Sequence, residues 1–109
     1  LEQSPEISVF WDEGDTIPFG NSELKVLFTP GHSPASISFY AEKDDFIIGG
    51  DVLFRQSIGR TDLPGGSFET LAESIRTKFY TLPDETKVYS GHGEVTTVGF
   101  EKKHNPFVQ

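Results

Sequence analysis

Apolar residues change their rhythm along this chain. Up to residue 50 they come in short runs bounded by turn chemistry, and from residue 68 they recur every three to four positions. The short runs read as strands. Residues 7–10 form the first, and residues 16–19 an edge strand, since Pro18 offers no ladder donor. Gly20-Asn21 then marks a turn, and residues 24–28 and 37–40 give two further strands around a loop at Pro30-Gly31. The charged stretch 42–45 reads as a hairpin turn into residues 46–48, whose continuous apolar run suits a buried strand. Residues 53–66 carry turn chemistry, including Pro64-Gly65-Gly66. Ser67 is then a helix N-cap with Glu69 in the first turn, and Phe68, Leu71, Ala72, Ile75, Phe79 and Leu82 make one apolar face. Pro83 should stop that helix. Residues 87–89 read as a last strand, and residues 98–104 as a short helix ending before Pro106. The expected class is α/β: a mixed sheet with helices on one face.

Composition narrows this picture modestly. A chain of 109 residues is one domain's worth, and ten Phe, three Tyr and one Trp supply bulky core material. Trp11 reads as core or half-buried edge. Nine basic against seventeen acidic residues give a net charge of −8, which argues against a nucleic-acid partner because phosphate neutralisation needs a basic patch. No cysteine is present, which removes disulfides and thiolate metal sites and fits a cytoplasmic location. No apolar run approaches ~18 residues, so no membrane span is expected. Methionine is absent, from which we expect the chain to be the C-terminal portion of a longer protein.

The candidate chemistry sits in three phrases, Thr29-Pro30-Gly31-His32-Ser33-Pro34, Ile47-Ile48-Gly49-Gly50-Asp51 and Ser90-Gly91-His92-Gly93. Each places a metal-competent side chain just past an apolar strand. Imidazole nitrogen and carboxylate oxygen are the mixed donor set that zinc or iron accepts. Glycine beside each permits unusual backbone angles or close approach. A lone loop histidine is ordinarily solvated, and an aspartate after Gly-Gly is ordinarily a turn or cap carboxylate; the three together are the signal. His32, Asp51 and His92 lie 19 and 41 residues apart, and should converge at one sheet edge.

The order His, Gly-Asp, Gly-His resembles the C-terminal half of the metallo-β-lactamase superfamily, from about Ile7 onwards. The resemblance implies half of an αββα sandwich. It also implies that the His-x-His-x-Asp-His motif lies in an absent N-terminal half, because His32, His92 and His104 are the only histidines here. His32, Asp51 and His92 would be metal ligands, with Asp51 as the catalytic bridge between two zinc ions in a complete domain. A metal-bound hydroxide would attack the substrate carbonyl. The run Gly59-Arg60-Thr61-Asp62-Leu63-Pro64-Gly65-Gly66, with Leu82-Pro83-Asp84 and Asn105-Pro106-Phe107, is similar to small glyoxalase II-like hydrolases. That implies hydrolysis of a small-molecule thioester such as an S-acylglutathione. Arg60 and Asp62 would support the metal loops from behind. Glu94-Val95-Thr96 departs from that branch, whose members carry a glutathione-binding tyrosine close after the histidine. Persulfide dioxygenases carry a similar Gly-Arg-Thr-Asp run, so an iron-dependent oxygenase is the alternative activity and iron the alternative metal. A catalytically silent structural fragment is the third reading.

Two further expectations concern this chain by itself. It should be inactive, with three ligands split between two metals. It should also self-associate, because Leu24, Val26, Phe28, Ile37, Phe39, Phe46 and Ile48 would form a sheet face that half a sandwich leaves uncovered. Lys102, Lys103 and His104 read as a solvated helix end whose charge suits the macrodipole.

Overall fold

Alternation of side chains across a pleated sheet means that pairing register decides which residues share a face. The computed structural model describes residues 11–34, 36–91 and 93–109. The strand expected at residues 7–10, and His92, lie outside them. Strands β1 (Thr16–Phe19), β2 (Ser22–Phe28), β3 (Ile37–Ala41) and β4 (Phe46–Gly50) pair antiparallel in succession. The chain then leaves the sheet for a small hairpin, β5 (Leu53–Phe54) and β6 (Ser57–Ile58), and for helix α1 (Phe68–Ser74). It returns as β7 (Lys87–Ser90), parallel to β4, followed by β8 (Thr96–Thr97) and helix α2 (Val98–His104). The mixed sheet runs in the order β1-β2-β3-β4-β7-β8.

One face carries the aligned row Lys25, Tyr40, Ile47 and Val88. Tyr40, Ile47 and Val88 join Leu71, Ala72, Ile75 and Phe79 from the first helical segment, and Val98 from α2, in a single buried cluster. Both helices therefore cover this face. The other face carries Val26, Phe39, Ile48 and Tyr89 in register. Ile48 and Tyr89 there remain 39% and 41% exposed, and Phe19 at the strand-β1 end 48%. Phe46 makes edge-to-face contacts with Phe19 and Tyr89, at 6.3 and 5.7 Å between ring centres. Cover is partial: Trp11 packs edge-on against Phe39 at 5.5 Å, and Val26 is fully buried, its main chain bonded to Gly14 and Asp15. Leu24, Phe28, Ile37, Phe39 and Phe46 on this face are half-buried, and Ile48, Tyr89 and Phe19 are its exposed side chains among the described residues.

Helix α1 begins where capping chemistry placed it, with Ser67 Oγ accepting the Thr70 N–H at 3.2 Å. Phe68, expected on the buried stripe, is instead 43% exposed, because the contact with the sheet starts one turn later at Leu71. The helix also ends before Pro83 acts on it. It loosens into a π-helical turn, Ile75–Phe79, closed by the Tyr80 N–H on the Ile75 carbonyl at 2.8 Å. The hydroxyls of Thr77 and Thr81 bond back to the carbonyls of Glu73 and Thr77, competition that favours a widened ladder.

The region 53–66, read as turns, contains the β5–β6 hairpin. Its two-residue turn places Gln56 at φ 60°, a left-handed position that nothing in Arg55-Gln56 advertises. Strand β8 is two residues long and went unforeseen; Thr97 ends it and caps α2 through the Phe100 N–H at 3.1 Å.

Candidate metal centre

The loop after β2 is fastened to the start of α1. The Gly31 carbonyl accepts the Ser67 N–H at 2.8 Å, and the Ser74 hydroxyl donates to the Pro30 carbonyl at 2.7 Å. Gly31 sits at φ 137°, and a Cβ there would lie 2.3 Å from the Leu71 Cα, so only glycine fits. This fastening presents His32. Its Nδ1–H donates to the Arg60 carbonyl at 2.9 Å, which leaves the Nε2 lone pair as the free donor.

Asp51 emerges from β4 through a turn in which the Val52 N–H bonds the Gly49 carbonyl at 3.0 Å. Its Oδ2 lies 3.6 Å from His32 Nε2. Two ligands each ~2.1 Å from one tetrahedral ion are separated by about 3.4 Å, so this pair fits a shared metal. The two side chains are 25% and 45% exposed, leaving an approach from solvent. Gly59 completes the packing, since a Cβ there would fall 1.8 Å from the Asp51 carbonyl and 3.4 Å from His32 Cβ.

His92 itself lies outside the described residues. The residue before it does not. The Gly91 N–H bonds the Gly50 carbonyl at 2.9 Å, and a Cβ on Gly91 would sit 3.5 Å from Asp51 Oδ1. Gly91 thus lies alongside Asp51. Among the described residues no three His, Cys, Asp or Glu side chains cluster as a metal site.

Arg60 and Asp62 form a two-pronged ion pair, at 2.8 and 3.0 Å, with side chains 61% and 70% exposed. Hydrogen bonding to Arg60 holds the Asp62 carboxyl below its usual range, and the same bond raises Arg60 further. The contact with His32 comes from the Arg60 main chain, not from this side-chain pair. At the helix end, His104 is exposed and lies 4.8 Å from the Phe100 ring, while Lys102 pairs with Asp84 at 2.8 Å. That ion pair, through its hydrogen bond first, lowers the Asp84 carboxyl.

Sequence reasoning assigned no role to Glu101 and Asn105, both wholly buried between α2 and the β5–β6 hairpin. A signal existed: Val98, Glu101 and Asn105 fall at i, i+3 and i+7, which sets a carboxylate on the apolar stripe of α2.

A family model described as the Metallo-beta-lactamase superfamily matches residues 2–92. The probable metallo-hydrolase YqgX of Bacillus subtilis is 54% identical over 97 residues, covering 88% of this chain and 46% of that protein. The hydroxyacylglutathione hydrolase GloC of Haemophilus influenzae is 43% identical over 99 residues, covering 91% of this chain and 47% of that protein. Among solved structures, TTHA1623 in a di-iron-bound form superposes with a TM-score of 0.81 at 43% identity, covering 90% of this chain and 47% of that one. The chain spans about half the length of these relatives. By its motifs, its sheet order and its match over residues 2–92, the chain belongs to the metallo-β-lactamase superfamily.

Proposed function

We propose that the complete protein hydrolyses thioesters of the S-acylglutathione type, with His32, Asp51 and His92 as metal ligands. The observation that carries this is the His32–Asp51 pair, 3.6 Å apart with the imidazole tautomer fixed by the Arg60 carbonyl. The likeness to the hydroxyacylglutathione hydrolase GloC supports the substrate class. Divalent ions at such a site lower the pKa of water and stabilise developing oxyanion charge. This chain's residues hold the donors in place. The Arg60 carbonyl aims His32 Nε2 towards Asp51, the Gly91 N–H bonds the Gly50 carbonyl next to Asp51, and in this reading Asp51 would bridge through its two oxygens. Two zinc ions per complete domain is the proposed complement, with the remaining ligands supplied by an N-terminal half. The 109-residue chain alone would then be inactive. We place the protein in the cytoplasm; among the described residues no helix is long and apolar enough to cross a membrane.

A second reading is an iron-dependent persulfide dioxygenase. The Gly59-Arg60-Thr61-Asp62 run favours it, and the di-iron form of TTHA1623 supports iron as a metal for this fold. Metal analysis of the complete protein, with parallel assays of thioester cleavage and oxygen uptake, separates the two. Two zincs and chelator-sensitive thioester hydrolysis support the first. One iron, with oxygen consumed on a persulfide, overturns it.

A further inference from the structure

Glu101 is a fully buried carboxylate, and burial without hydrogen bonds is expensive for a charged or polar group. Its bonds go to separate parts of the chain. Oε1 accepts the Gln56 N–H at 2.9 Å and the Asn105 side-chain amide at 2.9 Å; Oε2 accepts the Thr96 hydroxyl at 2.6 Å. The Asn105 amide also donates to the Ser57 carbonyl at 3.0 Å. Gln56 and Ser57 belong to the turn and second strand of the β5–β6 hairpin, and the Gln56 backbone is in the left-handed region at φ 60°. Arg55 grips from the same turn, 4.8 Å over the Phe100 ring and 3.6 Å from Glu94.

What hangs on this hairpin is the candidate centre. Asp51 lies two residues before β5, and Arg60, whose carbonyl aims His32, two residues after β6. The Gly59 N–H on the Val52 carbonyl, at 3.1 Å, closes the stem. Thr96 follows His92 by four residues. We propose that Glu101 is a positioning residue: it locks the hairpin against α2 and β8 and so fixes the stem that holds Asp51 and the Arg60 carbonyl, and with them the His32–Asp51 pair.

This rests on the metal-site reading, and the test separates the two. In the complete protein, wild type is compared with Glu101→Ala, Glu101→Gln and Thr96→Val. The readouts are Co(II) affinity by chelator competition, the ligand-field bands of the Co(II) form, and hydrogen exchange of the Gln56 amide without metal. Glu101→Ala should weaken Co(II) binding by roughly 10–100-fold, the range for groups that orient metal ligands. Its bands should change, and Gln56 should exchange faster. Glu101→Gln should stay near wild type, since its oxygen accepts from Gln56 and Asn105 while its amide donates to the Thr96 hydroxyl. Thr96→Val removes one contact and should give a smaller loss in the same direction, which decides the matter if Glu101→Ala does not fold. Wild-type metal uptake with unchanged affinity, bands and exchange in Glu101→Ala or Thr96→Val overturns the proposal alone. A wild-type protein that takes up no metal overturns the site reading and the proposal with it.

Discussion

In the proposed centre, His32 would use its two nitrogens for different duties. Nδ1 is committed to the Arg60 carbonyl and Nε2 faces Asp51, so removing the ring removes a donor together with its orientation. His32→Ala in the complete protein should cost more metal affinity than the roughly 10–100-fold typical of orienting partners, measurable by chelator competition. The His32–Asp51 pairing was legible because both residues stand beside glycines at strand ends. The Arg60 carbonyl was not, because a main-chain acceptor has no letter of its own.

Tyr80 gives a pH prediction at the same scale. Its hydroxyl shares its one proton between the Val108 carbonyl at 2.7 Å and, more weakly, the Glu101 carbonyl at 3.1 Å, and burial, then the Glu101 charge, pushes its pKa from 10.0 up to about 12. Folding favours the neutral phenol, so the unfolded chain releases this proton first. The stabilisation is complete below pH 10 and fades as pH rises towards about 12. Urea unfolding across that window should show wild type losing stability relative to Tyr80→Phe, which lacks the ionisable group.

Among the elements, α1 was the most readable and its tether the least. Ser67→Ala should cost about 1 kcal/mol, the usual worth of a side-chain N-cap, read as a lower denaturant midpoint. Gly31→Ala should cost more. Its new methyl would meet the Leu71 main chain at 2.3–2.4 Å, and main chain yields less readily than the side chains that give the roughly 1–3 kcal/mol of an overpacked core. Gly31 was marked in sequence as a neighbour of a ligand; that it also lets helix and loop touch depends on a residue 40 positions away. The β5–β6 hairpin stayed hidden for a related reason. Each strand has two residues, too few to show alternation, and the Glu101 and Asn105 bonds stabilise it from elsewhere in the chain.

At the scale of the whole molecule, we propose that the 109-residue chain self-associates. Of the residues expected on the sheet face, Ile48 is exposed beside Tyr89 and Phe19, Val26 is fully buried, the others are half-buried, and Trp11 packs on Phe39. Burying such surface is worth ~25 cal/mol per Å². The net charge of −8 opposes contact only within a screening length of ~8 Å. Sedimentation of the 109-residue chain over a dilution series should therefore show concentration-dependent dimers or larger species. Ile48→Lys with Tyr89→Lys should shift it to monomer; a wild-type chain that stays monomeric at micromolar concentration would refute the expectation.

The sequence alone determined the strands β1 to β4 and β7, both helix starts, the parity of the two sheet faces and the two ligand candidates now seen together. Those features rest on local periodicity, caps and glycines, each written within a few adjacent letters. Tertiary structure decided the rest: which carbonyl turns His32, that Trp11 packs on Phe39, why the helix widens before Pro83, and where a buried Glu101 spends its lone pairs. Such features are contacts between residues far apart in the chain, and their energy appears only when folding brings both partners together.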